Sequence, residues 1–140
     1  MEGKNFEEIK TIVSLAMRLQ SLCEGFDETN KNAIISAKFK VLLELSKRDK
    51  LSPAEIKQSL GLAKSNVSNL CGKLVESGEI AKSKEKFDNR VIFYSITPLG
   101  EAELADMLDK MQKNFKTELE YKNNFPKIVK SARELADLVK

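Results

Sequence analysis

LSPAEIKQSLGLAKSNVSNLCGKLVESG, residues 51–78, carries the densest helix punctuation in the chain. Ser52 stands where a side-chain oxygen can cap a helix. Pro53 takes the first helical position, where its missing N–H leaves no bond unmade, and Glu55 completes a Ser-x-x-Glu capping box. Gly61 ends that helix as the residue most tolerant of positive φ. After a short turn an apolar stripe resumes at Val67, Leu70, Cys71, Leu74 and Val75, and Gly78 closes it. Two short helices joined so tightly make a helix-turn-helix.

Downstream the period changes. Residues 80–83 and 90–96 alternate as strands, with Ile92, Tyr94 and Ile96 on one face, and the polar tip KEKFDN joins them into a hairpin. Thr97 then caps a new helix, with Pro98 at its first position and Glu101 near the positive end of the dipole. That helix runs through Leu104, Leu108, Met111 and Phe115. After YKNN and Pro126, a last helix carries Ile128, Val129, Ala132, Leu135 and Val139. Upstream, Phe6, Ile9, Val13, Ala16, Leu19, Leu22, Cys23 and Phe26 recur at three- and four-residue steps and predict one long amphipathic helix over 6–26. DETNKN reads as a polar linker. A second helix follows over 34–47, with Phe39, Leu42, Leu43 and Ser46 on its buried side and Lys38, Lys40, Glu44 and Lys47 away from it. Leu51 is expected to add one short extended pairing. The fold class is mainly α with a small β-hairpin, a winged helix-turn-helix arrangement.

Composition narrows the function. The chain has 140 residues, one domain's worth, with 41% hydrophobic and 32% charged residues. No apolar run approaches a membrane span and the N-terminus lacks a signal-peptide core, so the expectation is a cytoplasmic protein with no membrane association. Cys23 and Cys71 lack CxxC spacing and support neither a disulfide framework nor a zinc site. There is no histidine, which removes the commonest general base and metal ligand. With no phosphate-binding glycine loop or nucleophile motif either, an enzyme is disfavoured, and no cofactor or metal is implied. The net charge is only +3, but residues 33–97 carry twelve basic against seven acidic side chains.

That basic excess coincides with an arrangement suited to B-form DNA. A helix can enter the major groove and present polar side chains to base edges, while a hairpin reaches the neighbouring minor groove. Opposite its apolar stripe the second helix of the motif offers Lys64, Ser65, Asn66, Ser68, Asn69, Gly72 and Lys73. Serine and asparagine can donate and accept, lysine can meet phosphate or guanine, and Gly72 permits close approach. On the hairpin, Lys82, Lys84 and Lys86 are phosphate candidates. Asp88 and Arg90, two apart in what reads as extended chain, leave the same face, so the carboxylate can orient the guanidinium.

The run LSPAEIKQSLGLAKSNVSNLCGKLVESGEIAKSKEKFDNRVIFYSITPLGEAEL resembles the DNA-binding core of the MarR family of winged-helix transcription regulators. Its most specific parts are LGLAKSNVSNL, KLVESGEI, and DNR followed by ITPLG. The resemblance implies a sequence-specific regulator of transcription, more often repressor than activator, that binds double-stranded DNA as a homodimer. It implies that Arg90 enters the minor groove with Asp88 beside it, and that a small-molecule effector acts in the crevice between dimerisation helices and winged helix. It divides the chain into a dimerisation helix and linker over 1–32, the winged helix over 33–97 and C-terminal dimerisation helices over 98–140. Apolar residues on more than one face of the first helix, Ile12, Leu15 and Met17 beside Ile9, Val13 and Leu19, suit a dimer interface.

The chain departs from the family pattern in three places. Ala63 replaces a capping side chain at the recognition helix, Asn69 stands where many relatives have arginine, and Asn89 replaces the middle arginine of the wing. Each change weakens electrostatics and leaves the fold alone. The residues also admit two further readings. One is a winged helix that binds a partner protein instead of DNA. The other is redox sensing through Cys23, near the end of the first helix; Cys71, on the apolar stripe, reads as core.

Overall fold

The computed structural model describes residues 6–24, 36–119 and 124–139. Helix α1 (Glu7–Glu24) is followed by α2 (Ala37–Ser46), α3 (Pro53–Leu60), α4 (Lys64–Glu76), strands β1 (Ile80–Lys84) and β2 (Ile92–Ile96), and helices α5 (Pro98–Leu119) and α6 (Asn124–Leu138). Phe26, DETNKN and Ile34 lie outside the described residues. The chain forms two compact units, one of Met1–Lys31 with Asp109–Lys140 and one of Asn32–Leu108.

In the second unit local chemistry sets each boundary. Ser52 Oγ accepts from the Glu55 N–H at 3.2 Å, and Glu55 Oε1 accepts from the Ser52 N–H at 3.1 Å, the reciprocal box expected from sequence. The Ser52 bonds, backbone first, hold the Glu55 carboxyl below its ordinary range. Gly61, with φ of 64°, sits in the left-handed region that stops α3. The core is then built by Val41, Leu42, Leu45, Leu51, Ile56, Val67, Cys71 and Ile80, each almost wholly removed from water. Each large member contributes about 1.5–3 kcal/mol by burial. Cys71 belongs to this core, and burial pushes its thiol up to about 11, so it is a packing residue rather than a reactive one.

The buried face of α2 differs from the expected one. Phe39 and Leu42 are buried, but so are Val41 and Leu45, whereas Leu43 is half-buried and Ser46 is exposed. The helix packs against α3, α4 and β2 together, so its contact face is wider than one stripe. Lys38, expected to face away, instead turns inward to Glu79 and Glu103.

The hairpin pairs antiparallel from Ile80↔Ile96 to Lys84↔Ile92. Leu51 joins it as a single bridge, exchanging backbone bonds of 2.8 and 2.9 Å with Tyr94. The second strand begins at Ile92, not at residue 90, because a turn occupies Asn89 and Arg90. Thr97 Oγ1 accepts from the Gly100 N–H at 3.2 Å and so caps α5 as expected.

In the first unit α1 carries exposed Ile9, Ile12, Val13, Leu15 and Met17, while Leu22 and Met111 are buried. The Leu22 carbonyl accepts from Asn114 Nδ2, and Phe115 and Phe125 rings sit 6.2 Å apart. Helix α6 starts two residues ahead of Pro126, earlier than expected, because a proline in the first turn has no intrahelical N–H bond to lose. Val139 falls just beyond its end.

Candidate nucleic-acid interface

Helix α4 divides its residues cleanly. Val67, Cys71 and Leu74 anchor one side in the core, and Lys64, Ser65, Asn66, Ser68, Asn69, Gly72 and Lys73 are all exposed on the other. A Cβ added at Gly72 would meet nothing within 4 Å, so a bulky ligand can approach the backbone there. Ala63, the N-cap residue, makes no side-chain hydrogen bond. The first-turn N–H groups beside Lys64 are therefore without a side-chain acceptor of their own, a disposition that suits an incoming anion.

The register of the hairpin puts Lys82 opposite Tyr94 and Lys84 opposite Ile92, so both ammonium groups stem from one face. Both are exposed, as is Lys86 at the tip. On the opposite face Lys50 Nζ lies 4.3 Å over the Phe93 ring, a cation–π contact that ties the loop after α2 to the hairpin.

Asp88 and Arg90 do pair, but by a different geometry from the extended one expected. Asp88 Oδ1 accepts from the Arg90 backbone N–H at 3.0 Å and from its Nε at 3.2 Å, while the Val91 N–H donates to the Asp88 carbonyl at 3.0 Å. This is a side-chain turn, in which one carboxylate oxygen fixes both the backbone and the guanidinium. The Arg90 side chain is 92% exposed and so remains available to a ligand.

Behind this surface, at the root of the wing, lies a partly buried polar cluster, centred on Glu79, that sequence reading missed. Glu79, only 7% exposed, places Oε2 3.0 Å from Lys38 Nζ and accepts at Oε1 from Ser77 Oγ at 3.0 Å. Lys38 also donates to Glu103. That bond, ahead of the opposing effect of burial, holds the Glu103 carboxyl below its ordinary range. Burial works against the charged Lys38, but hydrogen bonds to Glu103 and Glu79 outweigh it and raise its value. The cluster joins α2, the turn between α4 and β1, and α5. It has no local sequence mark, since its members lie far apart in the chain.

Elsewhere in this unit a cleft of about 570 Å³ is lined by Leu45, Ser46, Lys47, Arg48, Asp49, Ile96 and Glu101, none of them a candidate DNA contact. Among the described residues no group of three or more acidic, cysteine or histidine side chains could hold a metal ion. No described helix is long and apolar enough to cross a membrane. Cys23 is half-buried in α1.

The family described as winged helix DNA-binding domain matches residues 37–115. No curated protein matches the chain. Among solved structures, wild-type apo MarR from E. coli is similar over 99% of this chain and 100% of its own, with a TM-score of 0.70 at 16% identity. A MarR mutant from E. coli complexed with operator DNA matches over 99% and 100% at 17% identity, with a TM-score of 0.64. Bordetella bronchiseptica BpsR, whose DNA binding is regulated by 6-hydroxynicotinic acid, matches over 98% and 99% at 18% identity, with a TM-score of 0.63. At these identities the likeness establishes a shared fold.

Proposed function

The chain belongs to the winged helix DNA-binding domain family, and from that premise we propose that it is a homodimeric, sequence-specific regulator of transcription that binds double-stranded DNA. The observation that carries the reading is the division of α4. Its apolar side is locked in the core, and its free side is an uninterrupted polar run, from Lys64 to Lys73, free of acidic side chains. In this reading Ser65, Asn66, Ser68 and Asn69 meet base edges, and Lys64 and Lys73 meet phosphate or guanine. Lys82, Lys84 and Lys86 neutralise the backbone on the wing side. Arg90 enters the minor groove, and Asp88 holds it in place so that less conformational entropy is lost on binding.

The exposed apolar residues of α1 supply the surface for a second copy, and a two-fold dimer would offer two recognition helices to half-sites about one helical turn apart. Residues 1–32 and 98–140 would serve that dimer and 33–97 the DNA. The MarR and BpsR likenesses favour a repressor whose DNA binding answers to a small molecule.

The test is a titration of fluorescent duplex against protein over a series of salt concentrations. Affinity is expected to fall linearly on a log–log plot as phosphate contacts displace counterions. Arg90→Ala should lower affinity about tenfold while leaving the fold intact. Absence of binding to any duplex at low salt would instead favour a winged helix that engages a protein partner.

A further inference from the structure

The wing tip carries a side chain that phosphate binding does not explain. Phe87 is 91% exposed. Other strongly exposed apolar residues, such as Leu138 and Val139, stand at the end of α6, whereas Phe87 stands alone among Lys84, Lys86, Asp88, Asn89 and Arg90. Among the described residues the ring meets only Lys86 Nζ, 5.9 Å from its centroid, at the outer limit for a cation–π attraction and too distant to shield it from water.

The loop that presents it is ordered by its own bonds. The Glu85 N–H donates to the Val91 carbonyl at 2.9 Å and closes the tip, and Asp88 fixes the backbone and guanidinium of Arg90. The tip therefore offers a held cation and, three residues before it, a free aromatic ring. Cations suffice for phosphate. An apolar ring beside them suits a target that is anionic outside and stacked within, which is the description of a nucleic-acid groove. Proteins that insert Phe, Leu or Ile between base steps from the minor groove unstack them partly and kink the duplex toward the major groove.

Resting on the DNA-binding reading above, we propose that Phe87 is a wedge: its ring enters the minor groove beside Arg90, stacks at a base step and bends the duplex. Because pyrimidine–purine steps open most easily, Phe87 makes the wing a reader of deformability, at positions where it forms no base hydrogen bond.

The protein has no tryptophan, so Phe87→Trp introduces a single indole at the point in question. The probe is a pool of random-sequence duplexes at low salt, followed by the duplexes recovered from it. On binding, followed independently by anisotropy of the labelled duplex, the indole is expected to be quenched and shielded from acrylamide. Phe87→Ala is expected to lower affinity about tenfold, since stacked aromatics contribute on that scale. It should also reduce the bend read by energy transfer between the duplex ends, without changing the salt slope; Phe87→Leu should retain most of both. Binding with the indole as accessible as in the free protein, or Phe87→Ala with wild-type affinity and bend, overturns the wedge and leaves the DNA-binding reading standing. An indole that responds to phosphatidylglycerol vesicles but not to bound DNA overturns it in favour of a membrane surface. Failure of the unaltered protein to bind any duplex brings down the DNA-binding reading itself, and the wedge with it.

Discussion

The root and the tip of the wing are only a few residues apart, yet they are built on opposite principles. At the root, Glu79 is fixed from several directions. Its N–H donates to the Leu74 carbonyl at 2.9 Å, and its carbonyl accepts from the Thr97 N–H at 3.1 Å and from Thr97 Oγ1 at 2.9 Å. Its buried carboxylate is held by Ser77 and Lys38. Gly100 allows α5 to close over it, since a Cβ there would lie 2.1 Å from the Glu79 carbonyl oxygen. At the tip, one carboxylate oxygen of Asp88 organises an otherwise exposed loop. A buried polar group must be satisfied or it destabilises the fold, whereas an exposed one can be spent on a ligand. Stability is thus expected to reside at the root and binding at the tip, and substitutions should separate the two.

The largest effect is expected from Gly100→Ala. The added methyl would collide with the Glu79 backbone and approach Ile96 Cγ1 to 2.9 Å, so α5 must move off the hairpin. Urea denaturation should show a loss of about 3 kcal/mol or more. Near wild-type stability would mean that α5 is only loosely seated against Glu79 and Ile96 and that the root is not where stability resides.

Next comes Lys38→Met, which leaves the Glu79 and Glu103 carboxylates facing each other with their cation gone. A loss of about 2–3 kcal/mol at neutral pH is expected, less than breaking a fully buried pair costs because Lys38 is partly exposed. Its pH dependence follows from the signs. The Glu103 value is lowered, so its contribution is present above the ordinary 4.5 and is lost as pH falls through the depressed value. The Lys38 value is raised, so its contribution is present below 10.5 and is lost as pH climbs through the elevated value. The stability gap between wild type and variant should therefore be widest between those limits and narrow on both sides. A gap independent of pH would show that Lys38 acts through packing alone.

Smallest is Asp88→Ala at the tip. It loosens Arg90 without removing it, so it should weaken duplex binding about threefold, less than Arg90→Ala, in line with an exposed ion pair. Both variants should unfold within about 0.5 kcal/mol of wild type. Equal or greater loss of binding from the aspartate change would give Asp88 a role beyond orienting its neighbour.

The same contrast explains what the sequence made legible. Ser52, Pro53, Glu55, Gly61, Thr97 and Pro98 act on backbone within a few residues, so the helix-turn-helix and the start of α5 could be placed from local chemistry. The polar face of α4 followed from its periodicity. The root cluster did not, because Lys38, Glu79 and Glu103 meet only after folding, and a single stripe understates the face of α2 that three neighbours bury. At the tip the Asp-x-Arg spacing signalled the pair, but alternation alone extended the strand through Arg90, where Asp88 makes a turn instead. Phe87 carries no mark of its own within the polar tip KEKFDN, and its exposure needed the structure.

If α4 and the wing read duplex DNA as parts of a two-fold dimer, selection of bound sequences from a random duplex pool will reveal it. Enrichment of a pseudo-palindrome with half-sites about one helical turn apart, lost when Arg90→Ala protein is used, is the expected result. Recovery of a pool as random as the one supplied, at a salt concentration low enough to favour phosphate contacts, would contradict it.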